Sequence, residues 1–426
     1  MLNTLPYKRV EEDWSRMHLP AFESHKFPNG CQLYAMQTNK PGLCFLELVF
    51  SNGRWTETTK LSARLSAQLI MEGTDGVKAD VVADFIDFHG AHLSVQADLD
   101  FTFISLSCLQ KHFGALTEFL CNLALSPAYR KEDLDRNRSF LHSQLKHQLS
   151  EPDYVSYREF TSLIYGRDTA YGYNTTPELL DALRVEDLRS YHDANYCGNY
   201  LSAFYCGEMD ERTVERLEQQ LNRFPVGGAA EPASPKEPSP SPAAARTHHP
   251  MKHSRQISLK FGLRTFQRKH PDFFGTYMLN TVLGDYFGSR LMKNIREDKG
   301  LTYDIHSALD CQIHDGCFYI SAELNPRQLE PALKLIRTEL RLLREELIPE
   351  EERIMVRNYL CGNMLRLLDG PFQTVSFLKT LVNEYGSPAA FDQLKTEVLD
   401  TSPERLRELA AKWLDPEKMI LVTAGA

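Results

Sequence analysis

The sequence predicts an α+β protein made of two homologous lobes, each a mainly antiparallel sheet packed with helices, joined by a proline-rich linker. Three observations predict this. Strand-type alternation and long helical periodicity follow one another in the same order twice. The two copies keep step: Ile104-Ser-Leu106, Leu116, Leu120 and Glu132 read like Tyr319-Ile-Ser321, Leu333, Arg337 and Glu350, 215–218 positions later. Between them the composition changes abruptly, with Pro232, Pro235, Pro238, Pro240 and Pro242 alternating with Ala, Ser and Glu. Such a stretch cannot build a core and favours extended polyproline conformations. The chain therefore divides into a lead-in (1–20), a first lobe (21–226), a linker (227–250) and a second lobe (251–426). A length of 426 residues suits two cores better than one.

In the first lobe, Phe27-Pro-Asn-Gly30 is a turn feeding a strand at 32–36, and a second strand at 44–50 ends at Ser51-Asn-Gly53. Leu61, Leu65 and Leu69 share one face of a helix over 58–71. A helix at 81–88 closes at His89-Gly90 and leads to alternating strands at 91–97 and 100–107. Long helices are expected at 111–124, 131–150 and 153–164. A Gly/Tyr/Asn-rich loop (165–176), a helix at 185–195 and a strand at 200–205 complete the unit. Beyond the linker the order recurs, and Pro403–Leu409 reads like Val185–Tyr191.

The most informative stretch is 288–307. It reads as a helix with Leu291 and Ile295 buried, stopped at Lys299-Gly300, then a strand that opens with Tyr303. Leu301, Tyr303, Ile305 and Ser307 alternate with polar positions as a half-buried strand does. Arg296 lies in the last helical turn and Tyr303 at the strand's start, so the turn can aim both at one point. A guanidinium and a phenol are both donors, suited to a peptide carbonyl or a developing oxyanion.

Composition narrows the function. The hydrophobic share of 42% and charged share of 25% are those of an ordinary globular protein. The net charge of −9, with neither sign in a long block, argues against nucleic-acid binding, which needs a basic face. Nine scattered cysteines without a CxxC indicate neither a disulfide framework nor a cysteine zinc site, and suit a reducing compartment. No apolar run is long enough to cross a bilayer, and the start lacks a signal-peptide core. The expectation is a cytoplasmic protein with no membrane partner.

Several segments stand in a telling order: Phe27-Pro-Asn-Gly30, Gly53…Glu57, Met71-Glu-Gly-Thr74, His89-Gly-Ala91, and Gly288-Ser-Arg-Leu291 with Ile295-Arg-Glu297…Gly300-Leu-Thr-Tyr303. Over nearly the whole chain, from about 22 to 425, they resemble the pitrilysin/insulinase family, the inverzincin zinc peptidases. The resemblance implies a clam-shell around an unfolded peptide, with zinc on an H-x-x-E-H helix in the first lobe. The second lobe of the family supplies an Arg and a Tyr seven residues apart, here Arg296 and Tyr303.

This chain departs from the family at the metal. The H-x-x-E-H positions fall on Arg64, Leu65, Ser66, Ala67 and Gln68, and the distal glutamate on Gln144. Arginine stays cationic and does not ligate a dication. Glutamine is a weak neutral ligand for zinc, and Ala67 has no group to take a proton from water. His89, His92, His142, His147 and the linker pair His248-His249 lack convergent partners. No metal or cofactor is expected on this chain. The resemblance then implies the non-catalytic, Arg/Tyr-bearing subunit type of bacterial two-subunit members. Its homologous partner would carry H-x-x-E-H and the zinc, and the pair would cleave unstructured peptides. The family's substrate strand would add to the edge formed by Leu93, Ser94, Val95 and Gln96. The alternative is a catalytically inert structural or peptide-binding relative in which the Arg/Tyr pair is a remnant.

Overall fold

The structure, a computed structural model, describes residues 14–38, 42–228, 244–252 and 254–426. Most of the expected lead-in and the proline run at 229–243 lie outside them. In the N-terminal half, strands β1 (Glu23–Lys26), β2 (Gln32–Gln37) and β3 (Leu43–Phe50) come first. The two-residue strands β4 (Gly73–Thr74) and β5 (Val77–Lys78) form a separate small hairpin. Next come β6 (His92–Ala97), β7 (Thr102–Leu109) and β8 (Leu201–Gly207). The main sheet runs β1-β2-β8-β3-β7-β6, antiparallel except where β2 meets β8. β3 is covered on both faces, which is why it reads as an almost unbroken apolar run rather than an alternation.

The helices of this half are α1 (Ser62–Gln68), α2 (Ala79–Phe88), α3 (Phe113–Leu125), α4 (Lys131–Gln148) and α5 (Pro152–Tyr165). α6 (Pro177–Ala182), α7 (Val185–Asn195) and α8 (Glu211–Leu221) follow. α1 is half the length expected of a helix over 58–71. Leu61 takes a left-handed φ of 73° just before it, and its C-terminal end tightens into a 3-10 turn at Leu69–Glu72. The Glu57 side chain caps the Ala63 N–H at 2.9 Å, so the chain before Leu61 is a capping loop. Leu61, Leu65 and Leu69 nevertheless share one buried cluster, as their spacing requires.

The C-terminal half repeats the plan with β9 (Arg246–Pro250), β10 (Ile257–Arg264), β11 (Thr302–Cys311), β12 (Gly316–Leu324) and β13 (Ile420–Gly425). Its sheet runs β11-β12-β10-β13-β9, antiparallel except for β13 and β9. The order β6-β7-β3-β8-β2 thus recurs as β11-β12-β10-β13-β9, with the single parallel pair at the same place. Residues 246–250, the end of the expected linker, are a strand and the counterpart of β2. Arg-Thr-His-His-Pro has no apolar alternation to betray it. Backbone pairing to β13 defines it, and its proline is tolerated on an edge. The helices are α9 (Phe273–Leu283), α10 (Leu329–Glu345), α11 (Glu350–Leu367), α12 (Pro371–Tyr385), α13 (Ala390–Asp400) and α14 (Pro403–Trp413).

Each half lends a helix to the other. Phe160, Ile164 and Tyr165 of α5 pack on Cys317, Ile420 and Val422 of the C-terminal sheet. Val375 and Leu378 of α12 pack on Met36, Val49 and Phe204 of the N-terminal one. A charge pair accompanies each exchange. Lys260, 3% exposed in β10, donates to Asp153 of α5 at 2.5 Å and to its cross-strand neighbour Ser321 at 2.5 Å. Glu47, 5% exposed in β3, meets Lys379 of α12 at 2.9 Å and accepts from its cross-strand neighbour Ser105 at 2.7 Å.

Removing one partner strands a buried charge. Asp153→Ala is expected to lower stability by about 2–3 kcal/mol, the half-exposed carboxylate tempering the full cost of breaking a buried pair. Lys260→Met, which removes the buried charge itself, is expected to cost much less. Urea midpoints followed by fluorescence decide this, and equal losses would contradict the assignment.

Candidate functional site

The Arg296–Tyr303 turn is built from two local irregularities around one glycine. Arg290 and Leu291 are α-helical, but Met292–Glu297 form a π-helix rather than the continuous α-helix expected. A π-turn accommodates one more residue than an α-turn and is frequent at functional sites. Leu291 and Ile295 still fall inward and are fully buried, while Arg296 is left half-buried. Gly300 ends the segment at φ +61°, its N–H donating to the Arg296 carbonyl at 3.1 Å and the Leu301 N–H to that of Ile295 at 3.1 Å. β11 then opens on a bulge: Thr302 faces Leu324 and Asp304 faces Glu323, leaving Tyr303 without a partner across the sheet. The bulge shifts the phase of the expected alternation. Ile305 and Ser307 are buried, but Tyr303 is 91% exposed instead of half-buried.

The Arg296 guanidinium lies 5.3 Å from the ring centroid of the exposed Phe287. Among the described residues, neither Arg296 nor Tyr303 makes a hydrogen bond or ion pair, to each other or to anything else. Two donors stand on either side of the Gly300 turn with their capacity unused.

The positions that the sequence resemblance aligns with a zinc site are brought together only in part. Arg64 and Gln68, four residues apart on α1, are half-buried, whereas Ala67 is wholly buried in the core. Gln144 sits half-buried on α4 and has no hydrogen bond to Gln68. The Gln68 Oε1 is buried and accepts no hydrogen bond from the described residues. A permanent cation, a methyl group and neutral amides do not fit zinc, and no group of three His, Cys, Asp or Glu that could hold a metal occurs among the described residues. Of the histidines named above, His89 bonds the Phe85 carbonyl at 2.8 Å and His142 bonds Asp181 at 2.9 Å. His248, on strand β9 rather than in a linker, bonds Thr423 at 3.0 Å.

What the sequence reading missed is the polar cluster beside α1. Glu57 accepts from the Tyr173 hydroxyl at 2.6 Å as well as from the Ala63 N–H. The Arg54 guanidinium lies 4.5 Å from the Tyr173 ring centroid and donates to the Tyr173 carbonyl at 3.1 Å. Burial pushes the Glu57 carboxyl up to about 7, against the pull of Tyr173, the Ala63 N–H and Arg54. Glu57 stood out in sequence, but Tyr173 lies 116 residues away in a loop whose path local patterning does not encode.

Strand β6, which carries Leu93, Ser94, Val95 and Gln96, is an edge of the N-terminal sheet. Among the described residues it pairs only with β7, and α1 packs beside it. Leu93 is buried, Ser94 and Val95 are half-buried and Gln96 is exposed.

Comparison with known proteins agrees with this geometry. Residues 182–360 match the family described as Peptidase M16 inactive domain. The chain is 21% identical over 345 residues to an uncharacterized zinc protease, YmxG, of Bacillus subtilis, covering 80% of this chain and 83% of that one. It is 25% identical over 301 residues to a non-peptidase homolog, YmxG, of Helicobacter pylori, covering 68% of each. A crystal structure of a peptidase M16 inactive domain from Pseudomonas fluorescens has the same fold. Its TM-score is 0.84 at 20% identity, over 95% of this chain and 98% of that one. So does a protease from Helicobacter pylori, with a TM-score of 0.87 at 15% identity, over 96% of this chain and 100% of that one.

The raised Glu57 carboxyl makes a pH prediction. The folded chain keeps a proton there that the unfolded chain releases near 4.5, so this group lowers stability as pH rises from about 4.5 to 7, and no further above that. Glu57→Gln is expected to narrow the difference in urea midpoint between about pH 5 and pH 8. An unchanged difference would show that Glu57 ionises freely.

Proposed function

For a chain that carries a Peptidase M16 inactive domain at residues 182–360, we propose the role of zinc-less subunit in a two-chain metallopeptidase. In this reading a homologous partner carries H-x-x-E-H and the metal. Arg296 holds a carbonyl of an unstructured peptide, and Tyr303 donates a hydrogen bond to the oxyanion that develops at the partner's centre. The supporting observation is the pair of unused donors: a π-helix and a bulge push Arg296 and Tyr303 outward, and no described residue of the chain engages them by a hydrogen bond or ion pair. Because exchanged helices dock the two halves on one another, the reading takes the wall opposite this turn from a second chain. The nine buried, unbridged cysteines favour a reducing compartment, and we place the protein in the cytoplasm. Recovery of the chain in an extracytoplasmic fraction would sink that placement.

A second reading is an inert relative, favoured by the Helicobacter pylori relative that is named a non-peptidase homolog. There the turn is a remnant of the fold.

The two readings predict different outcomes when the chain is mixed with a homologous H-x-x-E-H chain and an unstructured fluorogenic peptide. The subunit reading expects metal-dependent cleavage that falls about 10²–10³-fold with Tyr303→Phe or Arg296→Ala, with assembly of the two chains unchanged. Variants that cleave as fast as the parent, or a mixture without activity, favour the inert relative. Elemental analysis of the isolated chain is expected to find far less than one zinc per molecule. A stoichiometric, tightly held zinc would contradict the ligand argument.

A further inference from the structure

The residues that replace the zinc site do more than remove it. Arg54 and Lys60 stand 4.5 and 5.3 Å from the Tyr173 ring centroid, and Arg64 is within electrostatic reach of both Arg54 and Tyr173. Two of these cations are partly compensated. Lys60 meets Asp168 at 3.4 Å, and Arg54 interacts with Glu57, which is only partly ionised at neutral pH because burial holds its carboxyl near 7. Arg64 makes no hydrogen bond or ion pair with any described residue. Burial, and then repulsion from Arg54, pull its pKa below the usual arginine value. One turn along the same helix the buried Gln68 Oε1 accepts no hydrogen bond from the described residues. A half-buried guanidinium lacks an anion, and a buried carbonyl lacks an N–H. Both belong to α1, a helix that packs beside the edge strand β6.

An extended peptide lying along β6 offers both missing groups, a carboxylate and a backbone N–H. A guanidinium is the side chain best matched to a carboxylate, through two parallel N–H···O bonds. We propose that Arg64 and Gln68 form a carboxylate-binding subsite: a peptide added along β6 sets a carboxylate on the Arg64 guanidinium and donates a neighbouring N–H to the Gln68 Oε1. Two positions that hold the metal in the family's peptidases become, in this chain, a reader of negative charge on the peptide. The carboxylate is either the peptide's own C-terminus or an Asp or Glu side chain. This inference rests on the peptide-binding part of the reading above, and on neither the partner chain nor Arg296 and Tyr303.

The test uses the isolated full chain and fluorescein-labelled, unstructured peptides of one neutral sequence in three forms: free C-terminus, amidated with a central Glu, and amidated with a central Gln. In fluorescence anisotropy at low salt, at least one carboxylate-bearing form is expected to bind about 10-fold more tightly than the amidated Gln peptide. Which form does so identifies the source of the carboxylate. Arg64→Gln is expected to erase the preference, and Arg64→Lys to keep part of it. The proposal is overturned if all three peptides bind alike, if none binds, or if the preference survives Arg64→Gln in a variant whose thermal unfolding matches the parent. Restored cleavage in the mixed-chain assay without this preference would remove the subsite and leave the subunit role standing. The preference without restored cleavage would do the reverse.

Discussion

Each sheet of this chain buries one ionised side chain whose counter-ion is carried by a helix of the other half. Lys260 relies on Asp153, and Glu47 on Lys379. An ion in a sheet interior costs several kcal/mol unless it is paired and hydrogen-bonded, and a lone half would leave that ion without its partner. The two positions correspond in the internal repeat, yet their charges are inverted. Each pair ties one helix to one sheet, a matter of specificity more than of net stability. The apolar contacts of Phe160, Ile164 and Tyr165, and of Val375 and Leu378, then supply most of the attraction.

That closure gives the Gly300 turn a rigid base. Leu291, Ile295 and Ile305 are fully buried in the C-terminal core on both sides of it. With the inner residues held, an extra residue in the π-turn and another in the bulge have only one direction to go. The outward placement of Arg296 and Tyr303 is thus a consequence of packing behind them. Their free hydrogen-bonding capacity follows from the same geometry, because among the described residues no element passes over the turn to use it.

The opposite half shows what becomes of a metal helix when its ligands change character. α1 keeps its buried leucines and its capping contact from Glu57, so the scaffold survives. Its outer positions no longer suit a dication, since a guanidinium repels one and an amide binds one weakly. Arg54 and Arg64 add positive charge beside Tyr173 on this side of the chain.

Much of this was legible in the residues alone. The order of strands and helices, the buried Leu291 and Ile295 and the stop at Gly300 follow from patterns within a few residues of one another. Such patterns reflect periodicity and φ preference, which are local properties. The strand at 246–250 was hidden because backbone pairing, not side-chain alternation, makes it. The π-turn, the bulge at Tyr303 and the Glu57–Tyr173 contact were hidden because packing against distant segments decides them. So was the exchange of α5 and α12: a lysine reads as a surface residue until the sheet around it, and the aspartate from the other half, are both in place.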